Sequence, residues 1–311
     1  MAKPAHARVF IDGEAGTTGL QIAERLAAMP SIEVCRIEAS KRKDADARKA
    51  MMTSADLAVL CLPDDAAKEA VALAASLGAK APKIVDASTA HRVASGWVYG
   101  FAELTAGQAN AIKSAKRVSN PGCYPTGAIA LLRPLIDAGL IPADYPLTIN
   151  AVSGYSGGGK SMIEAYEAGT APLFELYGLG LEHKHVPELM AYAGLTTRPI
   201  FVPSVGNFRQ GMLVSIPLHL DRLPAKPSLA DFEATLDKHY TGSTLVHVVK
   251  GAAQNLGGRI AGETLSGSDA LELFVFGKPQ LHQAVLVARL DNLGKGAAGA
   301  AVQNIKLMLG L

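Results

Sequence analysis

Cysteine is scarce in this chain: Cys35, Cys61 and Cys123 are the three among 311 residues. Their wide spacing forms neither a disulfide framework nor a metal-ligand pattern, so no metal is expected and a reducing cytoplasm is. Charge of one sign is missing too. The formal net charge of +2 gives no electrostatic case for nucleic acid or an anionic membrane. No uninterrupted apolar run reaches the roughly 18 residues a membrane span needs. Met1 to Arg8 lacks the apolar core of a signal peptide. Internal repeats and low-complexity stretches are absent as well.

What remains is an ordinary globular composition, 49% hydrophobic and 19% charged, with length enough for two domains. The first third alternates strand and helix signals. Arg8 to Ile11, Ile32 to Ala39, Asp56 to Leu62 and Lys83 to Asp86 read as strands; Leu20 to Leu26 and Asp64 to Leu77 read as helices. Strands spaced by helices imply parallel βαβ units with right-handed crossovers, a doubly wound, Rossmann-type α/β domain. Beyond about residue 118 longer strand-like runs follow: Leu147 to Val152, Met212 to Leu220, Leu245 to Val249, Leu271 to Phe276 and Ala284 to Leu290. With the helical stripe Ser228 to His239, they imply an α+β mixed sheet with helices on one face. Gly296 to Leu311 ends in an amphipathic stripe of Val302, Ile305 and Leu309.

One cysteine stands apart. Cys35 and Cys61 lie inside apolar strand-like runs and read as packing residues. Cys123 lies in Ser119-Asn120-Pro121-Gly122-Cys123-Tyr124-Pro125-Thr126-Gly127, a proline-bracketed turn running into the apolar segment Ala128 to Leu140. Pro125 fits a first helical position, where its missing N–H costs nothing. Helix N-termini favour a thiolate, the nucleophilic form. The turn by itself leaves open a nucleophile or a small buried residue.

Gly13-Glu14-Ala15-Gly16-Thr17-Thr18-Gly19 follows the first strand and opens the first helix. Its spacing is GxxGxxG, and its position fits dinucleotide binding, with Gly13, Gly16, Thr17, Thr18 and Gly19 around a pyrophosphate. After the second strand, Glu38 suits a ribose diol, while Ser40, Lys41, Arg42 and Lys43 suit a 2′-phosphate. NADP(H) is the expected cofactor. Leu62, Pro63 and Ser88 fall in loops after strand ends, where open α/β sheets bind ligands.

Three further groups carry chemistry. His183-Lys184-His185-Val186-Pro187-Glu188 packs two imidazoles and a carboxylate into six residues, suited to proton transfer. Ser153-Gly154-Tyr155-Ser156-Gly157-Gly158-Gly159-Lys160-Ser161 reads as an anion cradle or as a flexible loop; it is not a Walker A sequence. Arg209 stands ready to clamp a carboxylate or to form a structural ion pair.

Together the cysteine turn, the glycine loop with its flanks Phe10-Ile11-Asp12 and Leu20, and the His183 cluster resemble the N-acetyl-γ-glutamyl-phosphate reductases. The short length and the opening Phe10 to Leu20 resemble the compact type 2 branch of that family, which lies within the semialdehyde dehydrogenase group. The resemblance spans essentially the whole chain. It implies NADPH-dependent reduction of N-acetyl-γ-glutamyl phosphate to N-acetyl-L-glutamate 5-semialdehyde in arginine biosynthesis, with release of phosphate and a thioester on Cys123. It implies His183 as acid/base, His185 and Glu188 as its relay, and Asn120 with nearby amides at the oxyanion. Ser156 and Lys160 would meet phosphate or cofactor; Arg209, on its own chemistry, is the candidate for a substrate carboxylate. Asn292, Gly294 and Lys295 would approach the nicotinamide. The terminal helix would return to a discontinuous cofactor domain, 1–118 with 293–311, around a catalytic domain of 119–292. A homo-oligomer follows the family's habit. Three alternatives stay open: aspartate-semialdehyde dehydrogenase chemistry, a cysteine hydrolase or acyltransferase without hydride transfer, and a nucleotide sensor without chemistry.

Overall fold

A computed structural model describes residues 6–311. Residues 1–5, most of the stretch read for a leader, lie outside the described residues. The chain divides into two compact units. One holds the described residues through Pro121 together with Ala297–Leu311, and the other holds Gly122–Gly296.

The first unit is a parallel sheet of β1 (Ala7–Asp12), β2 (Ile32–Cys35), β3 (Leu57–Leu60), β4 (Lys83–Asp86), β5 (Val98–Tyr99) and β6 (Arg117–Ser119) in the order β2-β1-β3-β4-β6-β5. Its helices are α1 (Thr17–Ala27), α2 (Ala45–Ser54), α3 (Asp64–Ala75), α4 (Gln108–Ser114) and the terminal α10 (Gly299–Leu309). Alternation along the strands builds both layers. Val9, Ile11, Leu57 and Val59 face Ile22 and Leu26 of α1, Ile112 of α4 and Ile305 of α10. Phe10, Ala58 and Leu60 face Met52 of α2 and Ala70 and Ala74 of α3. That two-sided burial is why these strands read as continuous apolar runs. The switch in strand order leaves a crevice at the carboxyl ends of β1 and β3, where such folds take ligands.

The second unit is a mixed sheet of β7 (Thr148–Gly154), β8 (Phe174–Leu176), β9 (Ile200–Gly206), β10 (Met212–His219), β11 (Val246–Val248), β12 (Leu271–Lys278) and β13 (Gln283–Leu290), ordered β11-β12-β13-β10-β7-β9-β8. Helices α5 (Cys123–Asp137), α6 (Lys160–Glu167), α7 (Val186–Ala193), α8 (Leu229–Tyr240) and α9 (Ala252–Asn255) accompany it. Gly127 lets α5 lie close on the sheet, since a Cβ there would come within 3.0 Å of Val214 and 3.2 Å of Ala288. Helix α8 begins in a capping box between Ser228 and Asp231, and the Tyr240 hydroxyl donates to the Ala130 carbonyl of α5 at 2.9 Å.

Several expectations are corrected. Helices do not keep to one face of the second sheet, because Ala252 of α9 packs with Phe274 and Val287 on the other. The second strand ends at Cys35, and Ala39–Lys41 is a 3-10 turn. The helix after the cysteine turn begins at Cys123 rather than at Pro125. Pro125 is thus its third residue, still inside the first turn where no N–H partner is required. Strand β9 gave little signal because Pro203 interrupts it; its neighbour β8 is only three residues long, so the missing donor removes little pairing.

Candidate active site

Cys123 opens α5, with Gly122 at the N-cap and no side-chain cap. Positioned so, its sulfur lies at the positive end of the helix, and that field favours a thiolate. Thr126 Oγ1 donates to the Gly122 carbonyl at 2.9 Å. The Gly122 N–H donates to Glu188 Oε1 at 2.8 Å, and Glu188 is buried in the first turn of α7. The carboxylate thereby fixes the residue before the cysteine. A Cβ on Gly296 would come 2.9 Å from the Cys123 Cβ, so the chain after β13 passes directly over the thiol-bearing residue.

His183 and His185 sit together, their rings 4.7 Å apart between centroids. The His185 backbone N–H donates to His183 Nδ1 at 3.1 Å, so the neutral His183 ring carries its proton on Nε2. His185 caps α7 and is buried. Both rings meet Tyr124 edge-on, at 6.2 and 6.0 Å. Pattern reading did not single out Tyr177, whose hydroxyl donates to the Tyr124 hydroxyl at 3.1 Å. Tyr124 in turn donates to the Ser204 carbonyl at 2.9 Å. Burial pushes the Tyr177 phenol up to about 12, with Cys123 adding to the rise. Burial raises Tyr124 as well. Both remain protonated donors at neutral pH. Cys123, His183, His185, Glu188 and two tyrosines therefore gather in one unit. They come from segments far apart in sequence, which is why Tyr177 carried no local signal.

Other expected residues are placed differently. Asn120, read as an oxyanion group, has its amide hydrogen-bonded within the first unit. Its Nδ2 donates to the Ala297 carbonyl at 3.0 Å and its Oδ1 accepts from Asn304 Nδ2 at 3.0 Å. Ser156, read as a phosphate or cofactor contact, is buried and accepts from Asn292 Nδ2 at 2.9 Å. Asn292 Oδ1 accepts the Gly211 N–H at 2.9 Å, so this amide braces two loops. Gly294 packs on the Ser268 carbonyl, 2.0 Å from where a Cβ would stand, and Lys295 is buried in a π-helical turn. Lys160 pairs with Glu164 at 3.7 Å on the exposed side of α6. Arg209 forms an ion pair with Glu167 on α6, the other of its two readings, with both side chains over half exposed.

The first unit holds a separate constellation. Gly13 has φ +89, and a Cβ there would lie 2.3 Å from the Cys61 carbonyl. Gly19 lets α1 cross the loop, since its Cβ would lie 2.5 Å from the Gly13 carbonyl. Gly16 caps α1 without a side chain, and the first turn, with Thr17 and Thr18, has no acid. The first-turn amides of α1 thus keep their intrahelical vacancies for an anion. Leu62 and Pro63 follow β3 beside this loop, Pro63 capping α3. Ser88 is buried, donating Oγ to Asp86 Oδ2 at 2.8 Å. Asp12, the last residue of β1, is held by Arg48 of α2 at 2.6 Å, and burial raises its carboxyl. These residues fit a dinucleotide: a pyrophosphate needs close backbone and open amides, and both are here. Cys35 is buried and Cys61 lies under Gly13. Burial pushes the Cys61 thiol up to about 12. Neither competes with Cys123 as a nucleophile at neutral pH. No helix among the described residues is long and apolar enough to cross a membrane.

Residues 8–115 match the family model described as semialdehyde dehydrogenase, NAD binding domain, and residues 123–292 match the semialdehyde dehydrogenase dimerisation domain. The chain belongs to the semialdehyde dehydrogenase family. Among solved structures, aspartate semialdehyde dehydrogenase II from Vibrio cholerae superposes with a TM-score of 0.72 at 16% identity, covering 98% of this chain and 99% of that one. The aspartate semialdehyde dehydrogenase of Candida albicans, solved with NADP, gives 0.66 at 15%, covering 98% of this chain and 99% of that one. At such identities these likenesses speak for the fold. Sequence narrows the family further. The N-acetyl-gamma-glutamyl-phosphate reductases of Brucella suis and Brucella ovis are 55% and 54% identical over 308 residues, covering 97% of this chain and 99% of each relative. Within its family the chain groups with those reductases.

Proposed function

We propose that this protein reduces N-acetyl-γ-glutamyl phosphate to N-acetyl-L-glutamate 5-semialdehyde with NADPH, releasing inorganic phosphate, in arginine biosynthesis. The observation that carries the reading is Cys123 at the first position of α5, with Gly122 tied to buried Glu188 and the two imidazoles in the same unit. The likeness to reductases of that name over nearly the whole chain supports the substrate.

In this reading the Cys123 thiolate attacks the acyl carbon of the acyl phosphate. A C–S bond forms, the C–O bond to phosphate breaks, and phosphate leaves with the electron pair. The bound cofactor supplies the hydride that reduces the thioester carbon. His183, carrying its proton on Nε2, protonates the oxygen of the resulting thiohemiacetal. It recovers that proton as the C–S bond breaks, which frees the aldehyde and restores the thiolate. His185 orients the His183 ring through its N–H, and Glu188 holds the Gly122 amide. Gly13, Gly16, Thr17, Thr18 and Gly19 hold the pyrophosphate, with Leu62, Pro63 and Ser88 beside it and Ser40, Lys41 and Arg42 near the adenosine. Lys160 and Arg209 serve anionic ends of the substrate. Their present partners are exposed pairs worth about 0–1 kcal/mol, easily exchanged. A homo-oligomer fits the dimerisation-domain match, and a cytoplasmic small-molecule enzyme fits the charge balance and cysteine usage.

The test runs the reaction backwards. The purified protein should reduce NADP+ with N-acetylglutamate semialdehyde and phosphate, and Cys123→Ala should lose roughly 10⁴-fold or more in kcat while keeping its fold. Faster turnover of aspartate semialdehyde overturns the substrate. Near-wild-type activity in Cys123→Ala overturns the nucleophile.

A further inference from the structure

Arg36 is the first residue beyond β2, whose last residue, Cys35, is in register with Phe10 of β1. From there its side chain reaches the glycine loop, where Nε donates to Glu14 Oε1 at 2.9 Å. The Arg36 side chain is 62% exposed and the Glu14 side chain 17%. An anchored guanidinium therefore stands at the corner between the first loop and the second strand end. In dinucleotide folds that corner receives the adenosine ribose: an acid there takes the diol of NAD, and an arginine nearby accommodates the 2′-phosphate of NADP.

We infer that Arg36 is the side chain that reads the 2′-phosphate, with Glu14 holding its fork in place; the inference rests on the dinucleotide reading above. Two observations favour Arg36 over the basic turn that follows it. Glu38 pairs with Lys41 at 3.1 Å, both side chains more than half exposed, so the acid suited to a diol and the first lysine engage each other. Ser40 and Lys41 lie on an exposed 3-10 turn, and a long lysine side chain must be ordered when a ligand arrives, at an entropic cost. Arg36 has already met part of that cost through Glu14. A planar guanidinium bonded along one edge still offers donors along another, matching two phosphate oxygens as an ammonium cannot.

Calorimetric titration with adenosine 2′,5′-bisphosphate and adenosine 5′-monophosphate tests this without turnover, because the fragments differ only in the 2′-phosphate and lack the nicotinamide. Wild type should prefer the bisphosphate. Arg36→Gln should lose roughly 10- to 100-fold in bisphosphate affinity and bind the monophosphate within about threefold of wild type. Arg36→Lys should recover part of the loss, since charge returns without the fork. An unchanged preference in Arg36→Gln overturns the inference alone, most plainly if Lys41→Gln with Arg42→Gln abolishes the preference instead. A wild type indifferent to the 2′-phosphate overturns both the inference and the choice of NADPH.

Discussion

Two glycine-rich loops of this chain look alike in sequence, and both run into a helix without a side-chain cap. They differ in how their backbone is held before that helix begins. In Gly13 to Gly19, the glycines are forced by backbone crowding: the Cys61 carbonyl stands over Gly13 and the Gly13 carbonyl over Gly19. The amides that open α1 then lie uncapped at a helix start. In the second loop, Ser153 to Ser161, four amides between Gly154 and Gly159 are already committed. Gly154 donates to Gly211, Tyr155 to Phe208, Ser156 to Arg209 and Gly159 to Ser156. Ser156 and Asn292 close that loop from the side. A loop binds an anion when its N–H groups have no other destination; glycine count alone does not decide it.

The contrast can be broken most forcefully at Gly13. Gly13→Ala places a side chain at positive φ, about 1–2 kcal/mol, and against a carbonyl, about 1–3 kcal/mol more. NADP+ binding by calorimetry should weaken roughly 100-fold. Unchanged binding would make the first loop no more than a turn. A smaller effect is expected at the second loop's brace. Asn292→Ala leaves the Gly211 N–H without its acceptor and should cost about 1–3 kcal/mol in denaturant unfolding. NADP+ affinity should stay within about threefold; a large loss of affinity with stability intact would return Asn292 to the cofactor site.

The smallest effect concerns the floor of the first loop. The Cys61 thiol ordinarily titrates near 9.0 and is pushed up to about 12 by burial. Between those values the folded chain holds a proton the unfolded chain has lost, so stability falls as pH rises. Wild type should therefore lose stability more steeply than Cys61→Ala above about pH 9, by at most about 1.4 kcal/mol per pH unit. Equal slopes in chemical denaturation would mean that Cys61 ionises in place.

Legibility followed the range of the interactions. Strand β4 was read to the residue because a buried parallel strand writes its own apolar run. Helix α8 was equally plain, because its cap and its stripe are local. The start of α5 was misplaced by two residues, since Gly122 as cap depends partly on Glu188, which lies 66 residues away. Arg36, Arg48 and Tyr177 were passed over for the same reason: the partners Glu14, Asp12 and Tyr124 come from other elements.

By itself the sequence determined the parallel βαβ character of the first third, the glycine loop, and the cysteine turn, because periodicity, backbone freedom and helix starts are encoded within a few residues. Tertiary structure alone decided which polar groups are already spent. Asn120, Ser156 and Asn292 are hydrogen-bonded to other parts of the chain, while Tyr177 bonds Tyr124 and Arg36 reaches Glu14 across elements. Hydrogen bonds saturate, and whether a donor still has a bond to offer depends on what folding has brought beside it.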